Sequence, residues 1–123
     1  MEKWLLIVED DRIIRMAIEK FAQRKNWKVV MAEDGFAALD AYQKYDCAVI
    51  FMDCQMPGLD GYQTTQAIRQ LESQKGIRIP IIAMTADVSQ EARESCLNAG
   101  MDDFLMKPLE MCEFYASVER WAK

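Results

Sequence analysis

The stretch "VIFMDCQMPGLDG", residues 49–61, decides the fold. Val49 to Met52 are apolar without alternation, and the run stops at one acid, Asp53. An uninterrupted apolar run of this length is what a strand covered on both faces requires, and such strands sit in the middle of parallel sheets. Asp53 therefore marks the carboxyl end of a central strand. Pro57 and Gly58 then punctuate the chain, and they predict a turn that carries it away and leaves Asp53 exposed.

Four more β-rich runs flank this one: "WLLIV" (4–8), "WKVVMA" (27–32), "IPIIAM" (79–84) and "DFLM" (103–106). The central run itself covers 47–52. Between them the apolar residues fall at helical spacing. Ile14, Ala17, Ile18 and Phe21 form one stripe, and Ala38, Leu39 and Tyr42 a second. Thr65, Ile68 and Leu71 form a weaker third, Val88, Ala92, Cys96 and Ala99 a fourth, and Met111, Phe114, Val118 and Trp121 a fifth. Asp34 fits an N-cap, and Gly100 fits a left-handed helix end. The stretch "ESQKGIR" (72–78) reads as a surface loop. Strict βα alternation predicts an α/β fold: a flavodoxin-like, doubly wound, five-stranded parallel sheet of order 2-1-3-4-5, with five helices. The 123 residues suit one domain, 1–123.

Composition narrows the function classes. The net charge of −5 argues against a grip on nucleic acid. No apolar run approaches a bilayer-spanning length or a signal peptide, so no membrane contact is expected and the expected location is cytoplasmic. Cys47, Cys54, Cys96 and Cys112 show no zinc spacing and read as four free thiols. Histidine is absent, which excludes Ser-His and Cys-His dyads and any phosphohistidine on this chain.

In an open α/β sheet, ligands bind beyond the carboxyl ends of the strands where strand order reverses. That rule brings Glu9 and Asp10, which end the first strand, beside Asp53. Two unit charges about 4 Å apart repel by roughly 1 kcal/mol in water and about 4 kcal/mol at an effective dielectric near 20. Three carboxylates in one crevice thus call for protonation or a cation, and an all-oxygen set with room for water suits Mg2+. The fourth and fifth strands deliver Thr85 and Lys107 to the same end. A hydroxyl, an ammonium and a carboxylate-held metal together match a phosphoryl group. Each piece also has a plainer reading. Strand-end acids are often caps, Lys-Pro is often a turn, and Thr85 fits an N-cap of the next helix.

The fragments "LIVEDD", "MDCQMPGLDG", "AMTAD" and "GMDDFLMKP", in that order, resemble the receiver domains of bacterial two-component response regulators, most of all those of hybrid histidine kinases. The resemblance covers nearly the whole chain. It implies that Asp53 is the phosphoacceptor and Lys107 its cationic partner, with a cis bond from Lys107 to Pro108. It implies Mg2+ held by Asp10, Asp53, Glu9 and the backbone carbonyl of Gln55. It further implies a switch made by Thr85 and Phe104. Glu9 stands where aspartate is more usual, and Phe104 lacks the hydroxyl of the tyrosine often found there. The implied partner is a histidine kinase or histidine phosphotransfer domain, docking beside the helix at 11–25, and a phosphorylation-dependent dimer is also within the family's range. On this reading the chain promotes only its own phosphorylation and dephosphorylation. The rival readings are a Mg2+-dependent aspartyl-phosphate phosphohydrolase, disfavoured because no acid stands two residues after Asp53, and a pseudo-receiver that only binds.

Overall fold

The computed structural model describes residues 3–122. Five strands alternate with five helices: β1 Trp4–Val8, α1 Arg12–Arg24, β2 Val29–Ala32, α2 Gly35–Lys44, β3 Cys47–Asp53, α3 Gly61–Lys75, β4 Ile81–Thr85, α4 Gln90–Ala99, β5 Asp103–Met106 and α5 Met111–Trp121. All the strand pairs are parallel, and the sheet order is β2-β1-β3-β4-β5. The switch point falls between β1 and β3, where the expected order 2-1-3-4-5 puts it.

Side chains alternate across the sheet and so build two cores. Leu5, Ile7, Val49, Phe51, Ile82 and Met84 face α1 and α5, where Ile18, Phe114 and Val118 close over them. Leu6, Val8, Ile50, Met52, Ile81 and Ala83 face the opposite side with Ala38, Ile68 and Cys96. The first core is aromatic: the rings of Phe51 and Phe114 lie 5.0 Å apart, and Trp27 meets Tyr115 edge-on at 5.4 Å. Tyr115 donates its hydroxyl to the Phe21 carbonyl at 2.7 Å, tying α5 to α1.

Local chemistry sets the helix ends. Asp34 caps α2 through the Ala37 amide, and Gly100 ends α4 at φ 104°, a conformation that costs glycine little. Two expectations change here. Glu72 to Lys75 are the last turn of α3, because Glu72 is buried and bonded rather than solvated, and the loop that follows runs over 76–80 before β4. Val88 lies ahead of α4, whose cap is Ser89, so Thr85 is not that helix's cap. All four cysteines are free, and the Lys107–Pro108 bond is cis.

Candidate functional site

Three acids end β1, and the fold divides their work. Asp11 caps α1, accepting from the amides of Ile13 at 2.8 Å and Ile14 at 3.4 Å. That bond fixes the turn and frees Glu9 and Asp10 to face the crevice. Glu9 follows Leu5 and Ile7 in the alternation, and Asp53 follows Val49 and Phe51, so both acids leave the sheet on the same side. One oxygen from each of Glu9, Asp10 and Asp53 lies within 4.8 Å of the others.

The Lys107 ammonium sits between two of these acids, 2.9 Å from Glu9 Oε1 and 2.9 Å from Asp53 Oδ1. The Gln55 amide donates to Asp53 Oδ1 at 3.1 Å, and the Asp11 amide to Glu9 Oε2 at 3.1 Å. These groups close over Asp53, which is only 2% exposed. The turn leads the chain away, yet the acid is not exposed, because Lys107, Gln55 and Glu9 crowd against it.

Asp53 Oδ2 is buried and, among the described residues, receives no hydrogen bond from a fixed donor. A proton on a neighbouring acid or an incoming cation would satisfy it. Burial, and then the hydrogen bond to Asp53, push the Glu9 carboxyl up to about 7. Burial alone would raise Asp53 as well, but its bonds to Glu9, Lys107, Asp10 and the Gln55 amide outweigh that and hold it below the usual carboxylate range. Lys107 is likewise raised: burial opposes its charge, and Asp53 and Glu9 more than compensate. One proton on Glu9 beside an ionised Asp53 is thus how the crevice balances without a metal. The donor set consists of oxygens, and among the described residues two of its buried carboxylate oxygens, Glu9 Oε1 and Asp53 Oδ2, receive no well-directed hydrogen bond, which fits a hard divalent cation.

Thr85 lines the same crevice of about 360 Å³, together with Asp10, Gln55 and Ala86. Its hydroxyl is turned to Asp87, donating to that carbonyl at 3.2 Å and accepting from that amide at 3.0 Å. Phe104 is not in the crevice. It packs, half-buried, on the α2–α4 side, and the Arg93 guanidinium stands 4.6 Å from its ring centre. Thr85 and Phe104 lie on adjacent strands, where Ala83 is paired with Phe104 and Thr85 with Met106.

Sequence reasoning passed over Arg15, whose guanidinium donates to the Glu9 carbonyl at 2.8 Å. No motif marks this residue. Only its place one turn into α1, over the end of β1, brings it there.

The family model for the response regulator receiver domain matches residues 5–119. The chain belongs to this family. The Sensor histidine kinase GacS of Pseudomonas protegens is 37% identical over 118 residues, which are 95% of this chain and 13% of that protein. The chain therefore spans only a small part of the curated relatives it matches. The receiver domain of the sensor histidine kinase PA1611 from Pseudomonas aeruginosa, solved with a magnesium ion in its active-site cleft, is 37% identical with a TM-score of 0.87, covering 99% of this receiver and 98% of that chain. The co-crystal structure of the Saccharomyces cerevisiae phosphotransfer protein Ypd1 with the receiver domain of Ssk1 matches at a TM-score of 0.93 and 29% identity, covering 98% of this receiver and 89% of that chain. Among the described residues, no helix of this receiver is long and apolar enough to cross a membrane.

Proposed function

We propose that this receiver is a single-domain phosphorelay module, residues 1–123, in which Asp53 accepts a phosphoryl group from a phosphohistidine on a partner protein. The observation that carries the reading is Asp53 itself: an ionised, buried carboxylate with one unsatisfied oxygen and a lysine ammonium 2.9 Å from the other. Glu9, Asp10, Asp53 and the Gln55 carbonyl would hold Mg2+ there. When bound, Mg2+ neutralises charge developing on the transferring oxygens. Lys107 does the same from the protein side. In the transfer the P–N bond of the phosphohistidine breaks as a P–O bond forms to an Asp53 oxygen. The imidazole leaves with the electron pair and takes up a proton.

Thr85 is poised to leave Asp87 and donate to the phosphoryl group, and Phe104 follows on the neighbouring strand by ring burial. Moving such an equilibrium from about 1:99 to 99:1 takes roughly 5.5 kcal/mol, which several charge-assisted contacts supply. The donor is a histidine kinase or histidine phosphotransfer domain, as the Ypd1 complex of a similar receiver supports. It docks over α1, where Ile13 and Met16 are exposed beside the crevice. The relatives' lengths support a module of a larger hybrid kinase, and a cytoplasmic location belongs to the same reading.

Incubation with Mg2+ and a small-molecule acyl phosphate should add one acid-stable, hydroxylamine-labile phosphoryl group, read by intact mass. Asp53→Asn should add none. Equal labelling of Asp53→Asn would refute the assignment, and continuous turnover of the donor without a labelled protein would favour the phosphohydrolase.

A further inference from the structure

Both backbone polar groups of Glu9 are held from outside. Its amide donates to the Ala32 carbonyl at 3.0 Å, and its carbonyl accepts from Arg15 Nη1 at 2.8 Å. Its carboxylate takes the Asp11 amide and faces Lys107. Only the carbonyl contact comes from a side chain of a helix. The Arg15 side chain is 17% exposed, and its other nitrogen lies 3.8 Å from Glu33 Oε1 on the loop after β2. A long, flexible side chain is thus committed to one backbone oxygen at the tip of β1. Its charge is unhelpful to a metal nearby, since a fixed cation repels another. Its geometry is helpful, because the clamped carbonyl belongs to the peptide that joins Glu9 to Asp10.

We propose that Arg15 is a positioning residue for metal binding: by holding the Glu9 carbonyl it fixes the turn that aims Glu9 and Asp10 at Asp53. The proposal rests on the Mg2+ reading above. It makes a prediction opposite in sign to simple electrostatics. Removing the charge alone would tighten any divalent cation, whereas loosening the turn weakens the ion that demands strict geometry. Mg2+ requires near-ideal octahedral ligation, and Ca2+ tolerates irregular sites.

Mg2+ and Ca2+ are titrated calorimetrically into the unaltered receiver, Arg15→Met and Arg15→Lys, each checked for folding by circular dichroism. Arg15→Met should bind Mg2+ about tenfold more weakly, the usual size of an outer-partner effect, with a clearly smaller change for Ca2+. Arg15→Lys keeps one donor and should fall between. An unchanged Mg2+-to-Ca2+ ratio, or tighter Mg2+ binding, in Arg15→Met would overturn the proposal. Should that variant fail to fold, Arg15→Lys is judged by the same ratio. An unaltered receiver that binds no Mg2+, or Asp53→Asn binding it equally, would instead overturn the underlying metal reading.

Discussion

Glu9 and Asp53 are both carboxylic acids at the tips of adjacent strands, yet their surroundings set them to different states. Glu9 is fully buried and its proton is retained up to about pH 7, whereas Asp53 keeps its charge through Lys107 and the Gln55 amide. The consequence for stability has a definite sign. A carboxyl whose folded pKa lies above its ordinary 4.5 binds its proton more tightly when folded. Its contribution to the metal-free protein is therefore complete below about pH 4.5 and is lost as pH rises through about 7. Urea unfolding at a series of pH values should show this loss, on the order of 3 kcal/mol at most, in the unaltered receiver relative to Glu9→Gln. Parallel pH profiles for the two proteins would show that Glu9 is ionised in the folded crevice.

At the scale of elements, the turn after Asp53 is a construction joint. Asp60 caps α3 and Gln63 returns the bond to the Asp60 amide, a reciprocal box spelled by "DGYQ" in the sequence. Gly61, the first residue of that helix, lies directly against the end of β3. A Cβ there would collide with the Asp53 carbonyl oxygen and come within 2.8 Å of the Cys54 Cα. Both obstacles are backbone and cannot swing aside. Gly61→Ala should therefore push α3 away from the strand end, lowering stability by about 1–3 kcal/mol and weakening Mg2+ binding with it. Thermal unfolding and calorimetric titration read the two effects. A stable variant with unaltered Mg2+ affinity would mean that the helix yields without disturbing Asp53. The turn residues were legible in "MPGLDG", but the collision was not, since it depends on how closely a helix approaches a strand.

For the molecule as a whole, periodicity gave the βα alternation, and the common doubly wound order for five strands then gathered Glu9, Asp10, Asp53, Thr85 and Lys107 at one end. Unbroken apolar runs and strand-end acids are local signals, and topology converts them into proximity. What stayed hidden depends on three dimensions: the burial of Asp53, the Arg15 clamp, and the other end of the sheet. There Arg69 on α3 donates to the Gly100 carbonyl at 2.9 Å, the Ile79 carbonyl at 2.8 Å, Glu72 at 2.6 Å and Asp102 at 2.8 Å. Asp102 in turn takes the Ile81 amide at 2.9 Å and Arg78 at 2.7 Å. Read one residue at a time, "RQLESQKGIR" looks solvated. Folded, it joins α3 to the amino ends of β4 and β5, far from the crevice. Arg69→Met keeps the stem but leaves the buried Glu72 carboxylate without its cation, while Asp102 keeps Arg78, and breaking such a network costs about 3–5 kcal/mol. Urea unfolding should show that loss, while Asp53 labelling by an acyl phosphate under folded conditions should stay close to the unaltered rate, because no group of the network enters the site. A loss below about 1 kcal/mol would place Arg69 with ordinary surface ion pairs. Slowed labelling in a fully folded Arg69→Met would show instead that the two ends of the sheet are mechanically coupled.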